Sequence, residues 1–377
     1  MTIQDVRNQL PHLNTDFIYL SHASSGVLTE SVKKKLEEHL YFRQNKPIDN
    51  YPAVLKASSN AKRILGKFMN VEADRFAWTL NVSEGMSLLA NGLKWKKGDH
   101  IILNDLEFPS NVYPFLRLAD EGVNVEIIKT NGGVVEIDAI EKAITPRTKL
   151  ISISHVQFIS GYRTDLERLG KICKKHDIIF CVDVIQSAGT VNIDIPKMNI
   201  DFLAGGSHKW LMALTGLGYV YVSEELQEKI SQKNVGWTSV QNAWDLLDYE
   251  LKFKSNAERY QNGTLNSVGI IGLNASLEIF DEVGMKAIEK SVLENSEYLI
   301  NSLSEIGMAP LLKNVPVENR SAIVTFPLTN PEAVLKGLEA LNVSVAVREG
   351  NMRVSPHYYN NKQDLDEFIA RLKKVLK

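Results

Sequence analysis

Lys209 follows Ala204-Gly205-Gly206-Ser207-His208, a stretch of mostly small residues leaving an apolar run. An amine with apolar and cationic neighbours can shed its proton and attack a carbonyl. Asp183 ends the apolar run Ile178-Ile179-Phe180-Cys181-Val182, where a carboxylate is half buried and needs a cation. Asn81-Val82-Ser83-Glu84-Gly85 is a turn opening an amphipathic helix; its backbone N–H groups, that of Val82 included, and the Ser83 hydroxyl suit a phosphate. Taken singly these residues have plainer readings: a solvated lysine, an aspartate capping the next helix, a serine N-cap. The separation of Asp183 from Lys209 by one βα unit favours a shared ligand.

Pyridoxal 5′-phosphate (PLP) carries the groups that such a set would hold. A lysine binds its aldehyde as a Schiff base, a carboxylate keeps its ring nitrogen protonated, and the protonated ring withdraws electrons from a carbanion at the substrate Cα. Gln186, three residues after Asp183, is placed to reach the ring hydroxyl. Phe108, in Glu107-Phe108-Pro109-Ser110-Asn111, offers a face to stack on the ring, although an isolated Phe is more often core. Gln157 joins the cofactor-side candidates and Asn111 the substrate-side ones. Arg348 and Arg353 flank a short turn, and a guanidinium can clamp an amino-acid carboxylate; Arg353 is favoured, with a surface ion pair as the competing account of each. Nucleotide motifs fail: Gly216-Leu217-Gly218 lacks the third glycine of a dinucleotide turn, and Gly92 to Gly98 lacks the Lys-Ser/Thr ending of a P-loop.

These residues need a frame. From about Arg75 to Ser231, short apolar or β-branched runs alternate with amphipathic stretches, the pattern of βα units in a doubly wound α/β domain. Predicted strands are Arg75–Thr79, His100–Leu103, Asn124–Ile128, Leu150–Ser154, Ile178–Val182, Phe202–Gly205 and Gly218–Val222, with helices over Met86–Leu93, Val112–Glu121 and Leu166–His176. Ligands of such sheets sit beyond the carboxyl ends of the strands, and every candidate named from Val82 to Lys209 follows a predicted strand. After about Asn266, two long helical patterns, a strand at Ala322–Phe326, a helix to Leu341, two short strands and a basic amphipathic helix predict a smaller α+β domain. The expected division is 1–20 as a segment packed on a domain, 21–265 as the large domain and 266–377 as the small one.

The 377 residues exceed what one core usually serves, in keeping with two domains. A formal net charge of −2 leaves no bulk field for nucleic acid or an anionic membrane. Met1 to Leu20 lacks the apolar centre of a signal peptide, and no apolar run is long enough to span a bilayer. Cys173 and Cys181, the only cysteines, predict no disulfide framework and a cytoplasmic setting, and the scattered histidines predict no metal.

The segments Ile18–Ser24, Asn81–Gly85, Glu107–Asn111, Ser154–Val156, Val182–Gln186, Ser207–Lys209, Arg259–Thr264 and Arg353–Pro356 together resemble the class V aminotransferase group of fold-type I PLP-dependent enzymes. That group includes cysteine desulfurases, isopenicillin-N-epimerase-like proteins and, more distantly, kynureninases. The resemblance covers nearly the whole chain and implies a large domain with a mainly parallel seven-stranded sheet plus the smaller C-terminal domain. It implies that Lys209 carries the cofactor, Asp183 meets the ring nitrogen, Gln186 contacts the ring oxygen, and Ser83, Ser207 and His208 hold the phosphate. Gly263-Thr264 would cross a homodimer interface to the neighbour's phosphate, and Arg353 would receive the carboxylate of a small amino-acid substrate. Aminotransferase-like chemistry through a Cα carbanion is the expected activity, with epimerisation or C–S β-elimination as alternatives and a silent PLP-fold binding protein as a remote one. Two departures separate the chain from the desulfurases: Phe108 replaces their ring-stacking histidine, and the short turn between Arg348 and Arg353 has no cysteine to accept sulfur.

Overall fold

The computed structural model describes residues 1–45 and 48–377. Its strands, in chain order, are β1 (Ile18–Tyr19), β2 (Phe76–Thr79), β3 (His100–Asn104), β4 (Asn124–Ile128), β5 (Thr148–Ser154), β6 (Ile179–Asp183), β7 (Phe202–Gly206), β8 (Gly218–Val222), β9 (Val324–Pro327), β10 (Val343–Ser344), β11 (Ala346–Arg348) and β12 (Asn351–Val354). Seven of them form the large sheet in the order β2-β8-β7-β6-β5-β3-β4. β3 to β7 are parallel, and β8 runs antiparallel between β7 and β2. Each predicted strand of this sheet forms, Asn124–Ile128 and Gly218–Val222 with the expected ends and the others with one or both ends moved by a residue or two. In β6 the shift matters, because the strand runs on to include Asp183.

Alternate side chains of the central strands serve opposite faces. Ile151, Ile153, Phe180 and Val182 belong to one apolar cluster, and Leu150, Ile179 and Cys181 to another. Both faces are covered, so all of β6 is buried and Asp183 must find its partners at the strand end. The expected helix Val112–Glu121 is instead a short helix, Tyr113–Leu116, followed by a 3-10 turn, Arg117–Glu121. Gly122, at φ 80, closes that turn and leads into β4.

The helices Met285–Glu305 and Lys362–Val375 pack with a small antiparallel sheet, β11-β12-β9, whereas the helix Ser267–Val283 lies mainly against the helices Glu30–Gln44 and Tyr51–Met69. β1 pairs in parallel with β10, and Val6 and Leu10 are buried in a cluster that also holds Trp210, Tyr358 and Tyr359. The N-terminal segment therefore touches both ends of the chain's architecture. The loop 157–163, which leaves β5, is strapped to the small sheet by three hydrogen bonds to its carbonyls. Ser321 Oγ donates to Gly161 (2.7 Å), Thr325 Oγ1 to Ile159 (2.6 Å) and Arg353 Nη1 to Phe158 (2.8 Å). Among the described residues no helix is long and apolar enough to cross a membrane.

Candidate active site

Lys209 and Asp183 come from neighbouring parallel strands, β7 and β6, and their charges act on each other. Burial pulls the Lys209 amine below the ordinary lysine range; Asp183 opposes this, and Arg353 and Arg348 add to it. The ammonium lies 5.6 Å from the centroid of the Phe108 ring. Burial pushes the Asp183 carboxyl up, the Ile185 N–H pulls it down, and the Glu107 charge pushes it up again. Asp183 Oδ1 accepts from Ile185 N at 2.8 Å, whereas Oδ2 is buried with no hydrogen-bond partner among the described residues. Gly26 packs on the backbone that carries Lys209: its N–H donates to His208 O (2.7 Å), and a Cβ there would stand 2.1 Å from Lys209 O.

Glu107 is the organising residue that the sequence reading left out of its site. It is buried, and its carboxylate accepts from Asn104 Nδ2, Asn111 Nδ2 (2.8 Å), Ser154 N (2.8 Å), Ser154 Oγ and Gln157 Nε2 (3.0 Å). The signal was a charged residue a few positions past the apolar run Ile101-Ile102-Leu103. Asn111 also accepts from Ser152 Oγ and is wholly buried, so both ends of its amide are engaged; it supports the site and does not face a substrate. Among the described residues Gln157 Oε1 has no hydrogen-bond partner, and neither has His155 Nδ1. Phe108 packs edge-to-face on Phe158, centroids 5.2 Å apart.

The helix expected from Met86 starts at Val82, because Asn81 is the N-cap: its Oδ1 accepts from Glu84 N at 2.9 Å, and the Glu84 carboxylate accepts from Leu80 N. Ser83 is thereby freed from capping; it is exposed and bonds Ser110 Oγ at 2.7 Å. His208 is half-buried beside it in sequence order to Lys209, and burial lowers its imidazole below the usual range. Ser207 is different: its hydroxyl is buried and shared between the carbonyls of Leu214 and Leu217, closing the turn that presents Lys209. Gln186 Oε1 accepts from Trp210 Nε1 (2.7 Å) and its Nε2 donates to Ala23 O (3.1 Å), which leaves one amide hydrogen for a ligand. Thr264 is exposed in a groove with His39, Arg43 and Tyr51, and among the described residues it makes no hydrogen bond to the Lys209 surroundings.

Arg353, on β12, is 2% exposed. Its Nη1 is held by Phe158 O and its Nη2 donates to Ser24 Oγ (2.9 Å), while Nε is buried without a partner. Arg348 reaches the same hydroxyl at 3.4 Å. The unpartnered atoms of Asp183, Gln157, His155 and Arg353, with an amine of lowered basicity among them, are a donor and acceptor set that fits PLP and an amino acid.

Comparison with known proteins agrees. The family described as aminotransferase class-V matches residues 18–368. A probable cysteine desulfurase of Methanothermobacter thermautotrophicus is 29% identical, over 100% of this chain and 98% of its own. An uncharacterized aminotransferase of Bacillus subtilis is 24% identical, with 98% of each chain covered. Among solved structures, the apo cysteine desulfurase of Thermococcus onnurineus superposes with a TM-score of 0.89 at 25% identity, covering 99% of this chain and 98% of that one. The cystine C-S lyase C-DES, solved with its product cysteine persulfide, superposes at 0.88 with 21% identity, covering 97% and 99%, and shares the fold.

Proposed function

Because the chain belongs to the aminotransferase class-V family of PLP-dependent enzymes, we propose that it labilises the Cα–H bond of a small amino acid at Lys209. When bound, PLP supplies a ring that delocalises the electron pair left on Cα. The residues that would hold it are Lys209, Asp183, Gln186, Gln157, Phe108, His208 and Ser83, with the N–H groups of the helix starting at Val82. Asp183 presents its unpartnered Oδ2, and with a cationic ring nitrogen as its partner the carboxylate would hold that nitrogen protonated. Lys209, its basicity lowered by burial, is the group that accepts and returns the Cα proton. Arg353 orients the substrate carboxylate. The buried, unpartnered Asp183 Oδ2 beside the Lys209 amine is the observation that carries this reading.

Borohydride reduction of the holoenzyme followed by peptide mapping tests it. The label should appear on the peptide containing Lys209, and a label on another lysine would overturn the assignment.

Sulfur transfer through a protein thiol is outside this proposal. Cys173 and Cys181 are both buried, and burial raises both thiols far above the range in which a thiolate attacks. Cysteine can still serve as a substrate of β-elimination, in which no protein thiol takes part. Replacing both cysteines by Ala removes a buried sulfur at each site and should cost stability, yet leave sulfide release from cysteine within about twofold of wild type, because neither thiol takes part in the chemistry; a persulfide found on either residue would refute this. The homodimer is part of the same reading, supported by the exposed Thr264, and sedimentation of the PLP-saturated protein should show two chains per active particle. A cytoplasmic setting is supported by the two free thiols.

A further inference from the structure

Two guanidinium groups converge on one hydroxyl beside Lys209. In the β11–β12 hairpin Ala346 pairs with Arg353 and Arg348 with Asn351, so Arg348 and Arg353 are diagonal neighbours on one face. Both donate to Ser24 Oγ, at 3.4 and 2.9 Å. The turn between them, Glu349-Gly350, has both residues at positive φ and holds the two strands in this register. Among the described residues, neither arginine nor Lys209 makes an ion pair. One amino-acid carboxylate balances Arg353, whose buried Nε awaits an acceptor. Arg348, exposed at the mouth, then remains a cation with a neutral hydroxyl as its side-chain partner. Phe158, whose carbonyl holds Arg353, and Phe108, whose ring lies 5.6 Å from the Lys209 ammonium, form an apolar wall.

We propose that the substrate is an amino acid with a second, short acidic group: Arg353 takes the α-carboxylate, Arg348 the side-chain acid, and the aromatic wall the methylenes between them. The inference rests on the function proposed above and adds the substrate class to it. The amide isostere keeps one acceptor for the guanidinium but loses the charge and the second oxygen of the carboxylate, which should separate the two by roughly ten- to a hundredfold.

The test uses the holoenzyme and follows the visible cofactor absorbance and substrate consumption with aspartate, glutamate, asparagine, glutamine and alanine. Aspartate or glutamate should exceed its amide in kcat/KM by about tenfold or more. In Arg348→Gln that ratio should shrink to within about twofold through a higher KM for the acid, because the missing contact is one of binding. Amides and alanine handled as well as the acids would overturn the inference and leave the proposed function standing. A cofactor absorbance unmoved by every amino acid would overturn both.

Discussion

A carboxylate that accepts five hydrogen bonds, as Glu107 does, is held by dipoles fixed on two segments of chain, 104–111 and 154–157. Glu107→Gln preserves the shape but sets an amide N–H₂ against donors, so it should lower unfolding stability by about 1–3 kcal/mol, measured by urea titration. Asp183→Asn should act on rate more than on folding: turnover should fall about 10²- to 10³-fold while PLP is retained, and wild-type turnover would reduce Asp183 to a structural role. Lys209 and Asp183 were legible in the sequence because each is a charged residue just past an apolar run. Glu107 obeys the same rule, yet its role was not legible. Its donors come from Asn104, Asn111, Ser154 and Gln157, and only the parallel pairing of β3 with β5 brings those residues together. The bonds of Ser207 and Asn111 were not legible either, since a hydroxyl or amide near a ligand in sequence can be engaged by its own backbone or neighbours.

The strap 157–163 joins the large sheet to the small one, and Gly161 is where it has no tolerance. Its φ is 80, and an added Cβ would lie 2.2 Å from Ile323 O. Gly161→Ala should therefore lower stability by about 2 kcal/mol or more, seen as a depressed Tm, and weaken substrate binding by moving Phe158 and Arg353. Strands β2 to β8 were readable as apolar runs, and five of them are parallel as alternation with helices predicts. The reversed direction of β8 was not readable, because a strand buried on both faces has the same composition whichever way it runs. The helix start at Val82 was missed because Ser83 was weighed as the cap, while Asn81 makes the bond to Glu84 N.

Across the whole molecule, three imidazoles, His22, His155 and His357, are buried in neutral form, each lowered first of all by burial, His357 to about 4. The unfolded chain binds these protons near pH 6.5 and the folded one only at lower pH, so stability is full above about 6.5 and is lost as pH falls toward 4. Asp183, held upward, takes its proton in the folded state first and offsets part of that loss. The net for the apo chain should be a decline of at least about 1 kcal/mol between pH 7 and 5 in urea titrations, and a flat profile would contradict it. The pairing of β1 with β10 has a consequence for how the protein is made. His22 bonds Ser355 O from 333 residues away, so the segment before it leaves the ribosome long before its partners and waits for more than three hundred residues before it can be covered. Translation halted before β10 would leave Ile18 and Leu20 unsheltered, and an incomplete chain would carry a ready-made hydrophobic mark at its N-terminus by which quality control could tell it from the finished protein.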